Sequence, residues 1–378
     1  MRYSHALPQP GSERQTSLVV GVLAGEGIGP EIVPLALDLL ERVADAAGVR
    51  VELRHGGLIG KPAVTRHGAS LSDEVIAFCE GVFADGGALF CGAGGDRFVY
   101  ELRARFDLFC KFTPLCPHPV LSDSGALRPE RLEGVDIVAV RENTGGMYLG
   151  EWSMEQAPAG GRTARHAFSY CEPQIARIVD VAARLAQTRR GRVTVTTKPG
   201  GVPAISTLWE EIASERCDAA GVHMQVLEID NAVYQLIADP RQFDVVVSPN
   251  MFGDVMADGG AVLLGSRGMS FSGNFSPEGR GVFQTGHGAA HDLAGSDRAN
   301  PVGQMLSLAM MLREAFGLDT EATCVEHAIA DTLARGIRTP DIAGPGSTVV
   351  GTRDFGRAVG AALSARLEGR EAAAHRAA

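Results

Sequence analysis

Residues 243–258 read FDVVVSPNMFGDVMAD: a short apolar run, a Ser-Pro break, then a stretch that starts with Asn and carries Asp254 and Asp258 four residues apart. The run is a strand, and if a helix starts at Gly253 the two aspartates share one of its faces. Two carboxylates at the carboxyl end of a strand suit a hard divalent cation such as Mg²⁺ or Mn²⁺, which prefers oxygen ligands; the plain alternative is a first helical turn that favours Asp. The same strand-then-helix alternation recurs outward in both directions, in SLVVGVLAG followed by EIVPLALDLLERVADAA, and in VDIVAVRE, RVTVTTK and VHMQVLEID. Such alternation predicts an α/β protein whose sheet is mainly parallel.

The chain has 378 residues, a length that suggests two domains. Its 45 acidic against 35 basic residues give a net charge of −10, which argues against a general nucleic-acid binder. Of the basic residues 32 are arginine and only three are lysine, Lys61, Lys111 and Lys198. Lysine, unlike arginine, can shed its proton at workable pH, so each survivor draws notice. Seven cysteines without C-x-x-C spacing indicate neither a disulfide framework nor a zinc cage, and no segment has the layout of a membrane span or signal peptide. A reducing, cytoplasmic setting is expected. Residues 1–16 are expected to form a mobile leader, and EGREAAAHRAA a fraying helical end.

Further candidates lie at strand ends. Gly25-Glu26-Gly27-Ile28-Gly29-Pro30-Glu31 is either a phosphate-approaching loop or a tight turn; its spacing is not the Rossmann fingerprint and Glu26 would repel a phosphate. Asp230 closes VLEID, where an aspartate is by itself a helix cap. Lys198 ends RVTVTTK at the edge where α/β sheets bind ligands, and a metal with guanidinium groups nearby would lower its pKa and make it a general base. After VDIVAV, Arg141 is placed to grip a carboxylate and Tyr148 to donate a proton, or each is a salt bridge or a packed phenol. His287 and His291, with Asp292 and Asn300 after them, lie in a glycine-rich segment better suited to a nucleotide loop than to zinc. The segment 150–170 is either a protruding arm or a surface loop.

Taken together, GEGIGPE, LRARFDLF, VAVRENTGGMY, TVTTK, FDVVVSPNMFGDVMAD and VFQTGHGAAHDLAGSDRANP resemble, in order, the β-decarboxylating dehydrogenases, the family of isocitrate, 3-isopropylmalate, homoisocitrate, tartrate and D-malate dehydrogenases. The resemblance implies a two-domain isopropylmalate-dehydrogenase-like fold, distinct from Rossmann enzymes. Residues 17–108 and 265–378 would build a large NAD-binding domain, and 109–264 a small dimerisation domain with its arm at about 150–170. It further implies that Asp254 and Asp258, with Asp230 of the partner subunit, hold Mg²⁺ or Mn²⁺. Tyr148 and the partner subunit's Lys198 would act as acid and base, and Arg103 and Arg141 would bind substrate carboxylates. Ile28, His287, Gly288, Ala289, Asp292 and Asn300 would bind the cofactor, with Asp292 favouring NAD over NADP.

Three departures concern the substrate. Thr113 stands where the family carries a third arginine, a loss of one charge-assisted anchor of roughly 1.5–3 kcal/mol. Lys111, two residues earlier on the same strand face, either replaces that charge or is a solvated lysine. The segment Gly94–Glu101 matches no subfamily; within it Arg97 is suited to an anionic and Tyr100 to an apolar or ring-bearing distal group, and Gly200 replaces an asparagine. The expectation is a homodimeric enzyme for the NAD- and metal-dependent oxidative decarboxylation of a non-standard substituted malate. Two alternatives are a 2-hydroxy acid dehydrogenase that releases no CO₂ and a non-catalytic regulatory subunit.

Overall fold

The computed structural model describes residues 2–8 and 13–377, with side chains to residue 370. Twelve strands matter here: β1 (Ser17–Leu23), β2 (Arg50–His55), β3 (Ala88–Cys91), β4 (Cys110–Leu115), β5 (Ile137–Glu142), β6 (Glu151–Gln156), β7 (Arg162–Ala167), β8 (Arg192–Thr197), β9 (His223–Glu228), β10 (Val245–Ser248), β11 (Phe271–Phe275) and β12 (Gly281–Thr285). Ten of them form one sheet in the order β2-β1-β3-β12-β11-β4-β5-β10-β8-β9. Pairing is antiparallel only around the centre, in β12/β11, β11/β4 and β4/β5, and parallel elsewhere. The expected mixed, mainly parallel α/β sheet is therefore present.

The sheet has a seam. West of it lie β1–β3, β11 and β12, drawn from both ends of the chain; from β4 onward the strands come from residues 110–248. Parallel strands buried on both faces demand apolar runs, and β3, β4, β5 and β10 are buried at every position. The helices Val302–Glu314 and Glu172–Gln187 cover the two halves, the first against β11 and β12 and the second against β5, β8 and β10. Both present nearly continuous buried faces.

The segment 150–170 forms a ribbon, β6 paired antiparallel with β7, exposed at every residue of both strands. An isolated hairpin has no core of its own, and the ribbon carries Trp152 and Met154 bare to solvent.

The expectation of a mobile leader needs correction. Residues 1 and 9–12 lie outside the described residues, but Tyr3–Ala6 forms a 3-10 turn with Ser4, Ala6 and Leu7 buried, and Arg14 ion-pairs with Glu321 at 2.8 Å. The leader's apolar side chains find a groove to fill, a signal that polar composition concealed. At the other end the helix Thr352–Ala377 continues through the segment read as fraying.

Candidate active site

Strand β4 and the start of the helix Phe98–Arg105 meet the helix Asn250–Gly260 at a cleft of about 190 Å³. Its lining includes Tyr100, Arg103, Lys111, Arg141, Asp254 and Asp258, with Arg267 and the Gln284–Gly288 stretch on the other side. Asp254 and Asp258 do lie on one helix, one turn apart, and both face this cleft. Their oxygens are a donor set that fits a hard divalent cation. Among the described residues of a single chain no third carboxylate, His or Cys joins them.

Cations dominate the floor. Arg103, Lys111 and Arg141 are 4%, 6% and 3% exposed. Register explains the group: Lys111 pairs directly with Arg141 across β4 and β5, so both side chains leave the sheet on the same face. Gly253 makes room for the arginine, since a Cβ there would meet Arg141 Cγ at 2.7 Å. Arg141 is already engaged; it donates to Asn250 Oδ1 at 2.8 and 3.0 Å and forms an ion pair with Asp254. Its role is thus to orient Asp254 as much as to grip a substrate. Arg103 and Lys111, by contrast, have no carboxylate partner among the described residues.

That imbalance sets the protonation states. Burial, reinforced by Arg103 and Arg141, pushes the Lys111 ammonium down to about 7. Burial likewise lowers Arg103 to about 9. For Asp254 burial works upward, but Arg141 and Lys111 outweigh it and hold the carboxyl below its usual range. The reading of Lys111 as a solvated lysine is overturned. Thr113 is also buried, opposite Ala139, and is not part of the cleft lining: two residues along the strand carry it roughly 7 Å from Lys111.

The proposed acid, Tyr148, donates to Asp254 at 3.0 Å and packs against Tyr100 with ring centroids 5.1 Å apart and the rings tilted by 53°. Burial, then Asp254, raises the phenol to about 12, which keeps it protonated. Arg97 does not reach the cleft as a free cation. It lies over Trp152 at 4.5 Å and Tyr100 at 5.6 Å and donates to the Tyr148 carbonyl at 3.2 Å, so its predicted anionic contact is replaced by a stack that ties the ribbon to the cleft wall. Trp152 was not legible as a site residue.

Lys198 and Asp230 lie apart from this lining. Lys198 bonds Asp230 at 2.7 Å and Glu228 at 2.6 Å, and those bonds raise its pKa while lowering that of Asp230. The expected depression of Lys198 is absent within one chain, because carboxylates rather than cations surround it. Gly200 is exposed with nothing near its Cβ direction.

A second cavity of about 340 Å³ adjoins the first through Arg267, His287 and Gly288. Ile28, Ala290, Leu293, Arg298, Asn300 and Asp341 complete much of its wall. The buried Nε2 of His287 has no hydrogen-bond partner among the described residues, and burial lowers the ring's pKa. A neutral imidazole with an unpaired nitrogen between two cavities fits a dinucleotide spanning both. The Gly25–Pro30 turn serves this wall indirectly: Ile28 donates to the Ala289 carbonyl at 2.9 Å, and Gly27, at φ +60°, leaves space that a Cβ would deny, 1.9 Å from that same oxygen. Glu26 is buried and accepts from the Gly95 amide, so the turn is a packing device and not a phosphate loop. Ala289 pins the loop; Asp292 is exposed and lies outside the wall of this cavity, which includes Arg298.

The sequence matches the profile described as isocitrate/isopropylmalate dehydrogenase over residues 19–359. The chain belongs to the isocitrate/isopropylmalate dehydrogenase family. Family relatives named 3-isopropylmalate dehydrogenase include that of Oleidesulfovibrio alaskensis, 38% identical over 353 residues, covering 89% of this chain and 97% of the relative. That of Bacillus licheniformis is 38% identical and covers 91% and 95%. The crystal structure of isocitrate dehydrogenase from Methylococcus capsulatus superposes with a TM-score of 0.81 at 27% identity, covering 92% of this chain and 99% of that one. As a family member the chain is an oxidoreductase, a dehydrogenase of the decarboxylating type. No helix among the described residues is long and apolar enough to cross a membrane.

Proposed function

We propose that the chain is a cytoplasmic homodimer that oxidises and decarboxylates a substituted malate, a 2-hydroxy acid with a 3-carboxylate, using NAD and Mg²⁺ or Mn²⁺. The observation that carries this is the pair of buried cations, Arg103 and Lys111, to which no carboxylate among the described residues bonds directly, in the cleft that Asp254 and Asp258 line. Buried charges are retained where something pairs with them, and a dicarboxylate supplies two partners. Residues 17–108 with 265–378 serve as the cofactor-binding domain and 109–264 as the dimerisation domain. Asp230 of the partner subunit completes the cation's ligands.

The bound cation supplies Lewis-acid charge at the substrate's 2-oxygen and NAD the hydride acceptor. Arg103 and Lys111 hold the carboxylates. The partner subunit's Lys198 accepts the 2-hydroxyl proton, and Tyr148, kept protonated by burial and Asp254, returns a proton to C3 after CO₂ leaves. The stack of Trp152 and Arg97 on Tyr100 holds the ribbon against the cleft wall.

The test is CO₂ released per NADH across a panel of 2-hydroxy acids with Mg²⁺. One to one supports the reading; NADH without CO₂ replaces it with simple dehydrogenation. Absence of NAD and metal binding in calorimetry would leave a non-catalytic subunit.

A further inference from the structure

The leader residues 2–7 precede the family match, which begins at residue 19, yet they dock across the seam of the sheet. On one side Arg2 Nε donates to Asp319 at 2.9 Å and its guanidinium to the Gly317 carbonyl at 3.2 Å. The amides of Tyr3 and Ser4 donate to the Glu314 carboxylate at 3.0 and 2.8 Å. Glu314 is 2% exposed; burial raises its carboxyl, and the leader's donors work against that rise. On the other side Arg184, from the helix covering β5, β8 and β10, donates to the Ala6 carbonyl at 2.7 Å. The leader therefore bridges the helices of both halves.

Between these anchors the Tyr3 ring stacks on Phe112 of β4, centroids 5.5 Å apart at 26°. Phe112 continues to Phe275 at 5.7 Å and Phe283 at 5.5 Å, a spine of rings under β4, β11 and β12. Gly273, opposite both Phe112 and Phe283, leaves the rings their space. Alternation puts the neighbouring residues, Lys111, Asn274 and Gln284, on the other face of these strands. Lys111 and Gln284 line the cleft. A buried ring and the cation beside it in sequence are thus two sides of one rigid peptide, and interiors packed to crystal density transmit a displacement of one to the other.

We propose that Tyr3 is a positioning residue: held across the seam by Arg2, Glu314 and Arg184, it braces Phe112 from behind and so fixes where Lys111 stands in the cleft. Among the described residues no ion pair holds Lys111 in place, so its position depends on the strand that carries it.

The chain's three lysines make a direct test, because lysine-selective ¹³Cε labelling of the full chain gives three signals, and Lys111→Arg identifies the one belonging to Lys111. Tyr3→Ala is expected to move the Lys111 signal and leave those of Lys61 and Lys198 in place, while Tyr3→Phe, which keeps the ring, moves none. Tyr3→Leu serves if Tyr3→Ala does not fold. In kinetics, which rest on the proposed function, Tyr3→Ala should raise KM for the hydroxy acid about tenfold with kcat and KM for NAD within about twofold. In a Lys111→Met background the same change should have no further effect on KM. A Lys111 signal that stays put, or a KM effect equal in both backgrounds, overturns the proposal. A moved signal in a protein that oxidises no hydroxy acid leaves the positioning intact and sinks the functional reading instead.

Discussion

Replacing Lys111 by methionine should exchange substrate binding for stability. The side chain is 6% exposed and lies between Arg103 and Arg141 with no carboxylate partner among the described residues. Its amine loses its proton near pH 7 in the folded protein and near 10.5 in the unfolded chain. Between those values the unfolded chain holds the extra proton, so the folded state gains stability as pH rises through the window and carries the whole penalty below pH 7. A drop from 10.5 to about 7 corresponds to a ceiling of about 4–5 kcal/mol. A third of that, about 1.5 kcal/mol, raises the Tm of a chain of this length by about 2 °C. Lys111→Met should therefore melt above the wild type at pH 6 in scanning calorimetry, with the difference shrinking toward pH 10. The same change removes a charge-assisted anchor worth about 1.5–3 kcal/mol, roughly 10- to 150-fold in kcat/KM. Lys111→Arg should retain most of the activity without the gain in Tm. A methionine variant that melts lower at pH 6, or whose kcat/KM stays within about threefold, would refute the electrostatic account of this cleft.

Under the proposed dimer, Tyr148→Phe and Asp230→Asn variants are each inactive, but co-expressed chains recover about a quarter of wild-type activity, since half the dimers then hold one intact site; no recovery would place both residues in one subunit's site. Arg97→Ala breaks the stack over Trp152 and Tyr100, costs about 0.5–2 kcal/mol, and should raise KM for the hydroxy acid while the emission of Trp152, the exposed one of two tryptophans, shifts. Chelation should abolish turnover, with Mg²⁺ or Mn²⁺ restoring it in the wild type but not in Asp254→Asn. Coenzyme preference is expected to favour NAD over NADP; if Arg298→Ala lowers NADP use selectively, the wall and not Asp292 decides that preference.

Periodicity exposed most of the fold. Strands β5 and β10 were legible because burial on both faces requires apolar runs, β8 through its alternating Val and Thr, and β1 as an apolar run bounded by a glycine-rich turn. The central antiparallel strands β11 and β12 were not, since FSGNF and GVFQT carry glycines and polar residues whose purpose, room for stacked rings and a cleft-facing Gln284, exists only in three dimensions. Site residues divide in the same way. Asp254 and Asp258 declared themselves by helical spacing on one face. Arg97 was less legible, because a charge at a given point in the chain says nothing about which way its side chain turns: its guanidinium lies over aromatic rings.

Under the proposed function, Lys111 supplies from a shifted position on the strand the charge that the family resemblance expects at Thr113. An arginine at 113 would rise from a position paired with Ala139, whereas Lys111 rises beside Arg141 and lines the cleft. Three cations then crowd the floor where they repel one another, and a lysine is the member of such a trio that can yield its proton. An arginine placed there would stay charged and repel its neighbours whether or not substrate was present. Under the proposed function the chain thus keeps the count of anchors that a dicarboxylate needs while lowering the electrostatic cost of the empty cleft, and it does so with one of the only three lysines in an otherwise arginine-based sequence.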